Sequence, residues 1–397
     1  MQTSWREALL VEHAERREAG LWRRRRMVST PQSVDIAIAS DEPSKQARIN
    51  FSSNDYLGLA NHPRLVNAAA AASGNWGVGS GASHLVCGHQ APHQALEPAL
   101  ADFVGAEAAL LFSSGYMANL ALATSFAGKG DLILQDKLNH ASLIDGARLS
   151  YAQHKRYAHL DLKQADSLLK SNAHKRSLIM TDSVFSMDGD QAPLLELECL
   201  AQAHNALLIV DDAHGFGVLG NNGRGSLSAA GLAPQGNVLM MGTLSKALGS
   251  YGAFVAGDAV FIEHLIQCAR TYTYTTALPA MLAVASHEAL DLLQEEGQQL
   301  QRKLQQNIVY FKSRAEVLGL RLMPSNTPIQ PWLIGEATAA SAAASALASA
   351  GLDVVAIRPP TVPKNTARLR IALSAGHSLD NIDMLLAAMR KVSDGRC

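Results

Sequence analysis

The sequence predicts an α/β protein with a large domain on a mostly parallel sheet, followed by a smaller α+β domain. Three observations predict it. Apolar runs of strand length recur between about residues 109 and 257 and alternate with helical stretches, as in strands buried on both faces. The chain has 397 residues, too many for one small core. Beyond about residue 318 the alternation gives way to strand pairs and single helices, which marks a second domain. The expected division is a helical arm over 1–50, a large domain over 51–285 and a small domain over 286–397.

Taken in order, residues 4–26 read as a charged amphipathic helix, and 49–51 as a short strand before the turn SSNDYLGL. Helical stretches lie near 63–73, 92–104 and 115–127. The strand candidates are ALLF (109–112), DLILQD (131–136), SLIMTDSVF (177–185), ALLIVDD (206–212), NVLMMGT (237–243) and GAFVAG (252–257), with a helix around 193–204. A long helix over about 279–318 leads into the second domain. There GLRLMP, IQPWLIG, LDVVAIRP and ARLRIALSA read as strands, and 337–350 and 378–392 as helices. The first of these helices is Ala-rich, and alanine is the best helix former.

Composition narrows the function. The net charge of −1 gives no general pull toward nucleic acid or anionic membrane, although Arg23, Arg24, Arg25 and Arg26 form a local basic run. No apolar stretch approaches the length of a membrane span, and the N-terminus has charges where a signal peptide needs an apolar core. The four cysteines, Cys87, Cys199, Cys268 and Cys397, are far apart and form no CxxC pair. The expected setting is the cytoplasm.

Ligands of open α/β sheets sit at the carboxyl ends of the strands. Ser113, Ser114 and Gly115 follow ALLF; Asn139 and His140 follow DLILQD. Ser183, Ser186 and Asp188 come with SLIMT; Asp211, Asp212 and His214 follow ALLIV; Thr243, Ser245 and Lys246 follow VLMMG. One crevice would gather a carboxylate, imidazoles, an amine and hydroxyls. A pyridoxal phosphate (PLP) site needs those types: a lysine amine, a carboxylate for the pyridine nitrogen, and N–H groups and hydroxyls for the phosphate. SSGYMAN (113–119) has the form of a phosphate cup leading from a strand into a helix, and Lys246 sits among small residues. Each has a bland alternative. A lysine in a Gly/Ser loop is ordinarily solvated, an aspartate after a strand often caps a turn, and a lone histidine is usually structural. Their joint placement carries the case.

Two other patterns point elsewhere. Gly215-Phe-Gly217-Val-Leu-Gly220 matches GxGxxG, but a dinucleotide fingerprint must open a helix and here GNNGRGS follows. His84, Cys87, His89 and His93 cluster in sequence, with a spacing that fits no common zinc pattern, so no metal is expected.

TLSKALGS (243–250), with DDAHGFGVLG (211–220) upstream, resembles the PLP-dependent α-oxoamine synthases of fold type I, the aspartate-aminotransferase-like fold. The resemblance runs from about Trp5 to the last helix and includes NFSSNDYLGL (50–59), GSGASHLVCGHQAPHQALE (79–97), LNHASLIDGARLS (138–150), SVFSMDGDQAPL (183–194) and RPPTVPKNTARLRIALSAGH (358–377). This family joins an amino acid to an acyl thioester with loss of carbon dioxide. IRPPTVP followed by TARLR is most similar to the members that take L-alanine and a pimeloyl thioester, carried by CoA or by a carrier protein. The resemblance implies that Lys246 holds PLP as a Schiff base and moves protons, that Asp211 pairs with the pyridinium nitrogen, that His214 lies at the ring hydroxyl and that His140 stacks on the ring. It places Ser114, Gly115, Tyr116 and Thr243 at the phosphate and Ser186 beside the cofactor. Thr275 and Thr276 would reach the phosphate of a neighbouring subunit, which implies a homodimer. Arg370 and Asn54 would bind the amino-acid carboxylate, and Arg23 and Thr361 would lie near the acyl group. The sequence departs from the family at Asn365, where glycine is expected, and at Cys87, where serine is common; asparagine tolerates the positive φ that glycine favours. Rival expectations are a synthase of the same family using glycine or serine, an inactive partner subunit, and a nucleic-acid binder using the arginine run.

Overall fold

The computed structural model describes residues 4–23, 25–39, 45–171 and 174–395; Arg24 and Cys397 lie outside the described residues. The chain forms two compact units. One comprises Met1–Ser53, Met187–Gly189 and Gln305–Cys397, the other Asn54–Ser186 and Asp190–Leu304. The unit boundary at 304/305 falls inside the long helix Ala280–Val317.

The larger unit is built on a seven-stranded sheet in the order Ala108–Phe112, Ala253–Gly257, Val238–Thr243, Leu207–Asp211, Ser177–Asp182, Leu132–Asp136, Gln153–Tyr157. Only Ala253–Gly257 runs antiparallel to its neighbours; the other four pairings are parallel. The central strands are buried along their whole length, which explains their unbroken apolar runs. Gln153–Tyr157 breaks that pattern and was not expected. It is an edge strand, half open to solvent, so QHKRY carries no apolar run to betray it. Register sets Asp182 opposite Asp211 at the carboxyl edge.

Helix Gly115–Phe126 buries Ala118, Asn119, Ala121, Leu122, Ala123 and Phe126. It packs on helix Ala141–Leu149 at Gly146, where a Cβ would come within 2.9 Å of the Ala123 Cβ and 3.0 Å of the Asn119 carbonyl oxygen. Glycine is therefore what lets these two helices meet closely.

The other unit holds two small sheets. One has the order Met27–Val28, Asp35–Ala39, Lys45–Asn50, Leu352–Asp353; the other Ile329–Gly335, Ala367–Ala372, Val355–Ile357. Helix Ala337–Ser349 buries Ala340, Ala343 and Leu347, so the Ala-rich stretch is packed. Several boundaries move from expectation. The N-terminal helix ends at Glu18, ahead of a left-handed Gly20 (φ 67°), so Arg23 lies beyond it. LDVVAIRP divides between the two sheets, and GLRLMP contributes only the isolated bridge Leu322–Trp332. Asn365 takes φ 60°, the left-handed conformation that suits a glycine-like position. Among the described residues, no helix is long and apolar enough to cross a membrane.

Candidate active site

Five carboxyl-edge segments of the large sheet converge on one cavity of about 190 Å³. Gly115, Tyr116, His140, Ser186, Asp211, His214, Thr243 and Lys246 all line it, together with Asn119, Ser142, Asp182 and Ser245. The sheet does the gathering: strands ending at Asp182, Asp211 and Thr243 bring residues dozens of positions apart to one edge. Ser114 is the N-cap of helix Gly115–Phe126, its Oγ accepting from the Met117 N–H at 3.3 Å. The helix N-terminus thus points free N–H groups at the cavity mouth, a favourable place for an anion.

Two hydrogen-bonded chains organise the polar groups. In the first, Lys246 Nζ lies 2.9 Å from His214 Nε2, His214 Nδ1 lies 2.7 Å from the Tyr56 hydroxyl, and that hydroxyl donates to Asn54 Oδ1 at 3.2 Å. Because Tyr56 has one proton and gives it to Asn54, His214 Nδ1 must be the donor to Tyr56, which leaves Nε2 to accept from Lys246. Tyr56 is fully buried, so the chain is anchored in the core. In the second, Asn119 Nδ2 donates to Asp211 Oδ2 (2.6 Å) and to Ser142 Oγ (2.9 Å), and Ser142 Oγ lies 2.7 Å from His140 Nδ1. Asp211 Oδ1 accepts the Ala213 N–H at 3.0 Å. The His140 ring forms an accessible wall of the cavity, yet the protein around it suffices to lower its pKa through desolvation, against the pull of Asp211. Asp182 accepts the His140 N–H at 2.6 Å, and burial together with Asp211 raises its pKa well above the usual carboxylate range.

The remaining hydroxyls are tied down. Thr243 Oγ1 donates to the Gly252 carbonyl at 3.0 Å and lies 2.9 Å from Ser245 Oγ. Tyr116 donates to Asp145. Thr275 and Thr276 sit beside the phosphate-cup strand, where Ser113 Oγ donates to the Thr276 carbonyl at 3.0 Å. Arg23, Thr361 and Arg370 belong to the other unit, where Arg370 is buried on strand Ala367–Ala372 and Arg23 and Thr361 are exposed. Some residues of the sequence inventory serve other purposes. Asp188 pairs with the buried Arg368, and Asn139 braces Met180 and Asp182. Asp212 is enclosed: Ser183 and Ser226 donate to it, and burial pushes its pKa up to about 6. A Cβ at Gly215 or Gly225 would come within 2.1 Å of an Asp212 oxygen, so the first glycine of the GxGxxG match makes room for this carboxylate.

The histidine cluster also has a structural explanation. His84, His89 and His93 come together, their ligating atoms within 4.8 Å of one another, while Cys87 stays exposed. Both His93 nitrogens are engaged by main chain: Nδ1 accepts from Gln90 N–H at 3.0 Å and Nε2 donates to the Leu278 carbonyl at 2.6 Å. His84 and His89 are bonded to each other, Nδ1 to Nδ1, at 2.8 Å.

The donor set fits PLP: an amine, a carboxylate with lone pairs facing a ring-sized cavity, an imidazole wall and a helix N-terminus flanked by hydroxyls. The model of the class I and II aminotransferase family matches residues 47–389. An 8-amino-7-oxononanoate synthase of Herminiimonas arsenicoxydans is 52% identical over 388 residues, covering 97% of this chain and 99% of that protein. The chain belongs to the 8-amino-7-oxononanoate synthases, within the class I and II aminotransferase family. The synthase of Francisella tularensis, solved as a crystal structure, superposes with a TM-score of 0.77 at 33% identity, covering 88% of this chain and 98% of that one. A serine palmitoyltransferase solved with a PLP internal aldimine superposes with a TM-score of 0.91 at 28% identity, covering 98% of both chains. The family has the fold type I architecture expected from the sequence.

Tyr56, Asn119, Ser142 and Asp182 were not among the expected site residues. Tyr56 stood inside the NDYLGL motif. The signal for Asn119 was a polar side chain within an otherwise apolar helix.

Proposed function

We propose that this chain condenses L-alanine with a pimeloyl thioester, carried by CoA or by a carrier protein, and releases 8-amino-7-oxononanoate, carbon dioxide and the free thiol. The product is the one that the names of its relatives give, and the reaction is a step of biotin synthesis. The observation that carries this reading is the joint presence of Lys246, Asp211, His140 and His214 on one cavity in a chain half identical to those synthases.

Bound PLP supplies an electron sink for the negative charge that forms on the alanine Cα and again when the carboxylate leaves. Lys246 is the amine that holds it, and its Nζ takes the Cα proton and later returns one. His214 Nε2, an acceptor 2.9 Å away, keeps that amine aimed into the cavity. Asp211 holds a proton on the pyridine nitrogen, so the ring draws electrons. His140 covers one ring face. The N–H groups of Gly115 and Tyr116 would hold the phosphate, joined by Thr243 once its hydroxyl turns from the Gly252 carbonyl, and Ser186 would lie beside the ring. Asn54 and Arg370 take the alanine carboxylate, and Arg23 and Thr361 the acyl chain, roles assigned by the family motifs.

A homodimer completes the proposal. Val78, Val86 and Tyr274 are each more than 70% exposed, an unusual density of apolar surface. They flank Thr275 and Thr276, and the two segments are joined by an Ala277 N–H to Ala82 carbonyl bond of 2.9 Å. Such a surface suits a second copy, and the family motif assigns both threonines to the neighbouring subunit's phosphate. Sedimentation should report a dimer.

The deciding experiment is an absorbance spectrum of purified protein with PLP, followed by addition of L-alanine, glycine or L-serine. A visible cofactor band that alanine perturbs at lower concentration than the other two supports the assignment. A band that prefers glycine or serine would move the chain to another amino donor, and no band at all would end the proposal.

A further inference from the structure

Asn119 has no assigned role, yet its side chain bonds both Asp211 and Ser142. It is 1% exposed, and its two N–H bonds go to Asp211 Oδ2 (2.6 Å) and Ser142 Oγ (2.9 Å). The orientation of its amide is fixed by chemistry. An ionised carboxylate oxygen only accepts, so the atom 2.6 Å from Asp211 must be the NH2. Its Oδ1 is buried without a hydrogen-bond partner, so this residue is placed for what it donates. Its position is secured by the close helix crossing at Gly146, whose absent side chain lets helix Ala141–Leu149 approach the Asn119 backbone.

The consequence reaches His140. Because Asn119 donates to Ser142 Oγ, the Ser142 proton turns to His140 Nδ1, 2.7 Å away, and the Ser142 N–H points at the same atom at 3.3 Å. An imidazole nitrogen that accepts cannot also carry a proton, so the arrangement favours neutral imidazole with its hydrogen on Nε2. The charged and titratable neighbours of the ring are Asp145 on its own helix, Asp182 and Asp211 on adjacent strand ends, Lys246 after strand Val238–Thr243, and Tyr116 from helix Gly115–Phe126. The aspartates favour imidazolium, so the Asn119–Ser142 arm is a local counterweight.

We infer that Asn119 is a positioning residue that steadies the Asp211 carboxylate and, through Ser142, holds His140 as a neutral acceptor at Nδ1. The inference relies on the proposed function only for what Asp211 and His140 then do to the cofactor.

The test begins with cofactor-free protein, so its failure is distinct from failure of the functional proposal. The titration of His140 is followed by NMR in the wild type, Asn119→Leu, Ser142→Ala and the double variant. In Asn119→Leu the Ser142 oxygen is free to accept from imidazolium, and the His140 pKa should rise by about one unit. In the double variant that acceptor is gone, and the titration should return to that of Ser142→Ala. Asn119→Ala repeats the comparison with a smaller side chain should leucine prevent folding. A second readout separates the arms: PLP affinity should fall about tenfold in Asn119→Leu, through Asp211, and clearly less in Ser142→Ala, which leaves the Asn119–Asp211 bond in place. A His140 titration unmoved by loss of the Asn119 amide, or a rise that survives in the double variant, overturns the inference.

Discussion

The larger unit contains two groups of histidines that look alike in sequence and differ in what surrounds their rings. His84 and His93 are buried, and His89 is half-buried beside them. His93 is held at both nitrogens by main chain, and His84 stacks on Tyr272 with ring centroids 4.9 Å apart. Burial, reinforced by His93 and His89, pulls His84 down to about 3. His140 and His214 instead stand on the wall of the cavity that Lys246 and Asp211 share; each is bonded at Nδ1, and the other bond of His214 goes to the Lys246 amine. The lesson is that a cluster of imidazoles is a site only when some of its hydrogen-bonding capacity points into space a ligand can fill. Spacing along the chain does not report that; the hydrogen-bond partners do.

The sharpest way to probe this contrast is to damage each side in turn. Lys246→Ala should abolish the cofactor band and lower turnover by more than about a thousandfold, measured by spectrum and product formation. Asp211→Asn, which keeps shape but removes charge, should lower kcat on the order of a hundredfold or more. On the closed side, His93→Phe should leave kcat within about twofold while costing about 2–4 kcal/mol of stability in chemical denaturation, because the Leu278 carbonyl and Gln90 N–H lose their partner. A drop in kcat comparable to that of Asp211→Asn, without lost stability, would erase the distinction drawn between the two groups.

A pH series adds a smaller effect. The folded state holds His84 near 3, below its unfolded value, so the unfolded chain takes up the proton first. Stability from its burial is present above about 6.5 and is lost as pH falls toward about 3. His159 has the opposite sign. Burial disfavours its charge, but the hydrogen bonds it donates to Asp136 and Asp190 outweigh that and raise it to about 10. Its contribution is full below about 6.5 and is lost as pH rises through about 10. Unfolding midpoints should therefore fall at both ends, and His84→Phe should flatten the acidic limb. The smallest change belongs to the exposed Cys87: Cys87→Ser should alter stability by less than about 0.5 kcal/mol and leave activity unchanged.

The legible parts of this protein share a physical cause. Strands buried on both faces must be continuously apolar, so six of the seven strands of the large sheet, and the residues at their carboxyl ends, could be read in order. Gln153–Tyr157 escaped because an edge strand half in water has no such requirement. Asp211 and Asp212 are adjacent in the chain, and only the family motif set Asp211 apart. The fold turns Asp211 to the cavity and encloses Asp212 between Ser183, Ser226 and two glycines.

By itself the sequence determined the fold class, the family and the chemical types at the sheet edge, because apolar periodicity and local motifs are written residue by residue. Only the tertiary structure decided which polar groups are tied to one another. That Asn119 bridges Asp211 and Ser142, that Tyr56 reaches His214, and that His93 is closed off by main chain all depend on contacts between segments tens to hundreds of residues apart. Directional bonds of that kind are set by packing in three dimensions, which no local pattern encodes.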